Sequence, residues 1–110
     1  MRNELLDKIG DLIMNNTIIS GYLASEPELK ILDENKQVCK FRVGVRFNSE
    51  RTVWYSVEVW GDRAEHINKN IPTGKKVIVN GTLKPDIHIW HDKENKPRAG
   101  YEMYGNVVEW

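Results

Sequence analysis

Two tryptophans and an alternating run of cations are the residues of this chain with the most chemistry to offer. In Trp54-Tyr55-Ser56-Val57-Glu58-Val59-Trp60, strand alternation puts Trp54, Ser56, Glu58 and Trp60 on one face. Tyr55, Val57 and Val59 take the other face and can enter a core. Just upstream, Lys40, Arg42, Gly44 and Arg46 alternate with Cys39, Phe41, Val43, Val45 and Phe47, so a cationic face opposes an apolar one that includes Phe47. Indole faces stack on flat rings, worth roughly 1–3 kcal/mol per nucleic-acid base, and cations hold phosphates with a salt-dependent energy. If the two outward sets share one sheet face, they suit a single-stranded nucleic acid held without sequence preference, since no pocket for one base is implied. Arg51, Lys84, Lys93, Lys96 and Arg98 can extend the cationic track through loops.

Other chemistries fit the residues poorly. His88 and His91 are spaced to point to opposite faces of a strand, which suits neither zinc nor a helical metal site. His66 has no partner at ligand spacing. Cys39 falls on the inward side of its strand, where an inert thiol is expected. No phosphate-binding glycine loop of the G-x-x-x-x-G-K type occurs. Asp33, Glu34, Asp62 and Glu65 read as turn and cap residues. The expectation is a non-catalytic protein with no metal, no cofactor and no small-molecule substrate.

The elements that must position these residues follow from the pattern. The chain has 110 residues, 40% hydrophobic and 29% charged, with a formal net charge of zero. That suits one domain with a modest core, and a polyanion would have to be met by a local basic face. One cysteine excludes an internal disulfide and suits a reducing cytosol. The apolar runs are too short to cross a bilayer. Residues 2–13 carry Leu5, Ile9, Leu12 and Ile13 at helical spacing and read as a short amphipathic helix, docked on its own domain or a sister subunit. Its mixed charges argue against a membrane surface. A first strand runs from Thr17 to Leu23 with a bend or bulge at Gly21, and Glu28 to Leu32 resumes it. A hairpin at Asp33 to Lys36 leads to the cationic strand, and Asn48 to Arg51 returns the chain into the Trp54 strand. Asp62 is placed to cap a helix bearing Ala64, Ile67 and Ile71, stopped by Pro72-Thr73-Gly74. Val77, Val79 and Leu83 mark a fourth strand with a bend at Gly81. Trp90 belongs to a long hairpin turning at Asp92 to Pro97, and Gly100 to Val108 form the last strand. Three strands, a helix and two strands make an all-β, five-stranded OB-fold barrel with one helix between strands 3 and 4.

These motifs, taken together, resemble the bacterial-type single-stranded DNA-binding proteins. The resemblance runs from about Met14 to Trp110. It rests on Ile18-Ile19-Ser20-Gly21-Tyr22-Leu23, on Glu26-Pro27-Glu28-Leu29-Lys30 (similar to the family's D-P-E-L-R turn), and on Val38 to Val45. It continues through Trp54 to Gly61, and Gly74 to Leu83 matches G-x-x-V-x-V-x-G-x-L. The resemblance implies that Trp54, Trp60 and Trp90 stack on bases. It further implies roles in DNA replication, recombination or repair, assembly into a homo-oligomer (most simply a tetramer), and a cytoplasmic, nucleoid-associated place or its organellar or phage equivalent. Residues 1–13 form an extension to a binding domain at 14–110. The sequence stops at Trp110, where the barrel should close, so the family's acidic C-terminal tip is expected to be missing. Glu58 between the tryptophans, and Pro85-Asp86 where basic residues are frequent, oppose phosphate binding. Two other readings use the same residues: an OB-fold protein-interaction or replication accessory module, with Trp54 and Trp60 packed against a partner, and a binder of single-stranded RNA.

Overall fold

The computed structural model describes residues 15–110. The helix expected over residues 2–13 lies outside them. The elements run β1 (Thr17–Leu23), β2 (Glu28–Asp33), β3 (Lys36–Arg46), β4 (Thr52–Trp60), α1 (Arg63–Asn70), β5 (Lys76–Leu83), β6 (His88–His91) and β7 (Pro97–Glu109). The sheet order β1-β5-β7-β4-β3 closes on itself through a β1–β3 pairing, so five strands make a barrel. It is mixed, because β4 and β7 run parallel, with Tyr55 opposite Tyr101 and Glu58 opposite Tyr104. β2 extends β3 as a hairpin, and β6 pairs with β7.

The apolar phases of the strands meet inside. Leu23, Cys39, Val43, Val59, Val77, Val79 and Met103 have no exposure at all, and Ile67 and Ile71 bring α1 into the same core. Cys39 lies inward, as its alternation implied, and burial pushes its thiol up to about 11, which leaves it unreactive at neutral pH. Among the described residues no helix is long and apolar enough to cross a membrane, and no group of three His, Cys, Asp or Glu side chains could hold a metal ion.

Three sequence expectations need correction. Phe47, expected in the core, is 72% exposed. β3 touches β1 only through Val43 and Gly44, and beyond that point its sole partner is β4. Burial therefore fades along the strand, from Val43 through the partly buried Val45 to Phe47, which has left the barrel and opens the turn by donating its N–H to the Arg51 carbonyl at 3.0 Å. Asp62 precedes α1 but makes no side-chain cap, since its own backbone is already helical and cannot present the carboxylate to the first-turn N–H groups. Gly21 carries no bulge. Its role is steric: a Cβ there would collide with the Gly44 carbonyl where β1 passes from β5 to β3. The register shift falls instead at Asn80/Gly81 in β5, where a Gly81 Cβ would strike the Tyr104 carbonyl.

Candidate nucleic-acid interface

The antiparallel register of β3 and β4 decides what shares the outer face. Lys40 lies opposite Glu58, Arg42 opposite Ser56, Gly44 opposite Trp54, and Arg46 opposite Thr52. Facing residues of paired strands point the same way, so Lys40, Arg42, Arg46, Trp54, Glu58 and Trp60 form one surface. The two tryptophans lie at opposite ends of β4, about 20 Å apart along the strand.

The Trp54 end is an open aromatic corner. The indole lies over Gly44, where even a methyl group would come within 3.0 Å of the ring. The Arg42 guanidinium sits over the same ring at 4.7 Å from its centroid, a cation–π contact that steadies both groups. Trp90, from β6, faces Trp54 across a slot of about 330 Å³ floored by Gly100 and walled by Arg42, Ser56, His88 and Tyr101. His88 stacks on Trp90 with centroids 5.6 Å apart, and Tyr55 stacks on Tyr101 at 5.2 Å. Arg51 lines an adjoining groove together with Trp54, Trp90 and Arg98. None of Arg42, Arg46 and Arg51 pairs with a carboxylate of the described residues. These three arginines and Trp54 and Trp90 are therefore brought together at one end.

The other half of the face is organised by Glu58. Its carboxylate takes Lys84 at 2.7 Å and Lys40 at 3.7 Å, and accepts a hydrogen bond from Trp60 Nε1 at 3.4 Å. Lys84 follows β5, and its backbone N–H donates to the Glu102 carbonyl of β7 at 2.8 Å, which fixes where its side chain starts. Its ammonium also lies 3.8 Å from Glu102 and 4.9 Å from the centre of the Tyr104 ring. Burial pushes the Glu58 carboxyl up, but hydrogen bonds from Lys84 and Trp60 and the charges of Lys84 and Lys40 outweigh it and hold the group below the usual carboxylate range. Burial pushes Lys84 down, and the hydrogen bond and charge of Glu58 more than offset that, leaving it above the ordinary lysine value. Lys40 and Lys84, two cations of the expected track, are thus engaged internally. Further out, Arg98 donates to Asp92 at 3.0 Å and Lys96 lies 3.6 Å from Glu94, so the hairpin tip neutralises itself as well.

Sequence reasoning missed Tyr101, Tyr104 and Glu102. They reach the site through the parallel β4–β7 pairing, a contact between segments far apart in sequence. The local hint was the presence of two tyrosines, Tyr101 and Tyr104, within the last strand.

A closed five-stranded mixed barrel with one helix, carrying an aromatic and cationic outer face, defines an OB-fold binding domain. Residues 14–110 match the model of the Single-strand binding protein family, and the chain belongs to that family. It is similar to the single-stranded DNA-binding protein of Corynebacterium glutamicum, 27% identical over 110 residues, covering 91% of this chain and 47% of that one. The Chlamydia trachomatis single-stranded DNA-binding protein is 29% identical over 93 residues, covering 82% and 58%. Single-stranded DNA-binding protein 2 of Streptomyces coelicolor is 30% identical over 95 residues, covering 77% and 47%. The chain therefore spans about half the length of these curated relatives. The crystal structure of an SSB domain from Synechococcus sp. superposes with a TM-score of 0.66 at 20% identity, covering 90% of this chain and 98% of that one, which shows a shared fold. The family is one of non-enzymatic proteins.

Proposed function

We propose that residues 14–110 form a domain that binds single-stranded DNA without sequence preference, stacking bases on Trp54, Trp90 and Trp60 and holding phosphates with Arg42, Arg46 and Arg51, assisted by Lys40 and Lys84. The observation that carries this reading is the β3–β4 register, which puts both strand tryptophans on the same face as the cations. Family membership and the names of the relatives support DNA as the ligand. The arrangement sets flat platforms beside cations on an open face, so it reads π-faces and charge. In a cell such an activity serves replication, recombination or repair. The test is a titration with oligo-dT, following tryptophan fluorescence over a salt series. Quenching that weakens as salt rises is expected, and unchanged fluorescence at low salt overturns the proposal. Competition with an RNA oligomer of equal length ranks the two sugars, because stacking does not read the 2′-hydroxyl.

A homo-oligomer belongs to the same proposal. Away from the Trp54–Trp60 strand the barrel exposes Ile18 on β1, Ile78 on β5 and Val107 on β7, whereas Tyr22, opposite Gly44, borders the Trp54 face. These strands are neighbours in the sheet, so Ile18, Ile78 and Val107 form an apolar surface suited to a second copy, and a tetramer would let one DNA strand pass several faces.

A second reading, a protein-interaction module that uses the aromatic face for a partner, draws support from one observation: the Glu58 carboxylate consumes cations in the middle of that face. Retention of proteins after nuclease treatment, with no affinity for oligonucleotides, would select it.

A further inference from the structure

The midpoint of the outer face, where a bound strand would pass from Trp54 to Trp60, is electrically closed. Two ammonium groups, of Lys40 and Lys84, meet two carboxylates, of Glu58 and Glu102. Glu58 is the hub: it contacts both lysines and the Trp60 indole N–H. Its bond with Lys84 is short, at 2.7 Å, and both side chains are shielded, at 20% and 16% exposure, so salt and water loosen it less than an ordinary surface pair. The groove beside the hub, about 310 Å³, is further lined by Glu26 and Glu28, so its carboxylates outnumber its cations.

We infer that Glu58 is an internal competitor for the phosphate backbone, holding Lys84 and Lys40 in the unliganded protein so that a strand gains their charge only by displacing the carboxylate. The inference rests on the DNA-binding reading and deepens it. The site then works in two unequal halves. The Trp54–Trp90 end, with Arg42, Arg46 and Arg51 free of described carboxylates, captures the strand by stacking and charge. The Glu58 half contributes the Trp60 platform with little net attraction for phosphate, which lowers both affinity and salt sensitivity and favours release.

Glu58→Gln keeps the shape and a hydrogen-bond acceptor for Trp60 while removing the charge. The expected result, by fluorescence quenching with oligo-dT, is tighter binding and a steeper dependence of log K on log salt. Single-stranded binding loses about 0.7 in slope per phosphate neutralised, so each freed lysine adds ~0.7 to the slope and about fivefold in affinity at roughly 0.1 M salt. Glu58→Val suits a strand and releases the same lysines, providing a second variant should the first fold poorly. Glu65→Gln on α1 changes net charge equally and is expected to alter neither quantity, which separates a local release from a general charge effect. Lys84→Gln is expected to cost more affinity in the Glu58→Gln background than in the wild type. Equal or weaker binding by both Glu58 variants with an unchanged slope overturns the inference and makes Glu58 a structural anchor for Trp60. If the wild type binds and Trp54→Ala weakens it, that failure belongs to the inference alone. If neither wild type nor variant binds at low salt, the DNA-binding reading falls and takes the inference with it.

Discussion

Trp54 is positioned by what is missing beneath it. Because Gly44 has no side chain, the indole settles on the β3 backbone with Arg42 against its ring, half-buried yet open toward Trp90. Trp54→Ala is therefore expected to weaken oligo-dT binding by about 1–3 kcal/mol, roughly a 5- to 150-fold rise in Kd, with the thermal unfolding midpoint little changed. A large drop in that midpoint would mean the indole is a packing residue. Glu58 was visible in the sequence only as an acid in an awkward place, and its partners explain why the fold tolerates it. The linkage runs in two directions. The Glu58 carboxyl is lowered from its ordinary 4.5, so its contribution to stability is complete above about that pH and is lost as pH falls through the lower folded value. Lys84 is raised from 10.5, so its contribution is complete below that value and is lost as pH rises through the folded one. The stability difference between wild type and Glu58→Gln, measured by urea unfolding, should be constant between these limits and narrow outside them.

At the scale of elements, barrel closure depends on one crossing. β1 gives up β5 and takes β3 at Tyr22–Leu23, and the two backbones approach closely because Gly21 faces Gly44. Gly21→Ala forces a methyl group into the Gly44 carbonyl and is expected to cost about 1–3 kcal/mol or more, read as a lower urea midpoint. It should also disturb binding, since the β3 segment that shifts is the one supporting Trp54. Alternation gave away most strands, as in Cys39 to Val45 and Tyr55 to Val59. It could not reveal that β3 outruns its barrel partner, and so it carried Phe47 inward when the strand had already left the core.

At the scale of the molecule, the β3–β4 face is aromatic and charged, while Ile18, Ile78 and Val107 expose an apolar surface on β1, β5 and β7. Ile18→Glu or Ile78→Lys places a charge within the apolar surface and should reduce the mass measured by sedimentation while leaving the circular dichroism of the subunit unchanged. An unaltered mass would count against this surface as the proposed contact between copies. Loss of assembly should lower the number of nucleotides held per complex more than the affinity of one face, because each subunit keeps its own Trp54–Trp60 strand.

What the sequence determined by itself was local and periodic: which residues point inward, which carry stacking surfaces and charge, where the helix interrupts the strands, and, through Gly74 to Leu83 and its companion motifs, the family resemblance. These are legible because alternation and turn chemistry act between near neighbours. Tertiary structure alone decided the pairing of charges and the completion of the aromatic corner. Lys40, Glu58, Lys84 and Glu102 come from four strands or strand ends, and Tyr101 reaches Tyr55 only through a parallel pairing. Electrostatic energy falls with distance in space and is blind to distance along the chain, so only the closed barrel could show that the cations flanking Trp54 are free of described carboxylates while those near Trp60 are held.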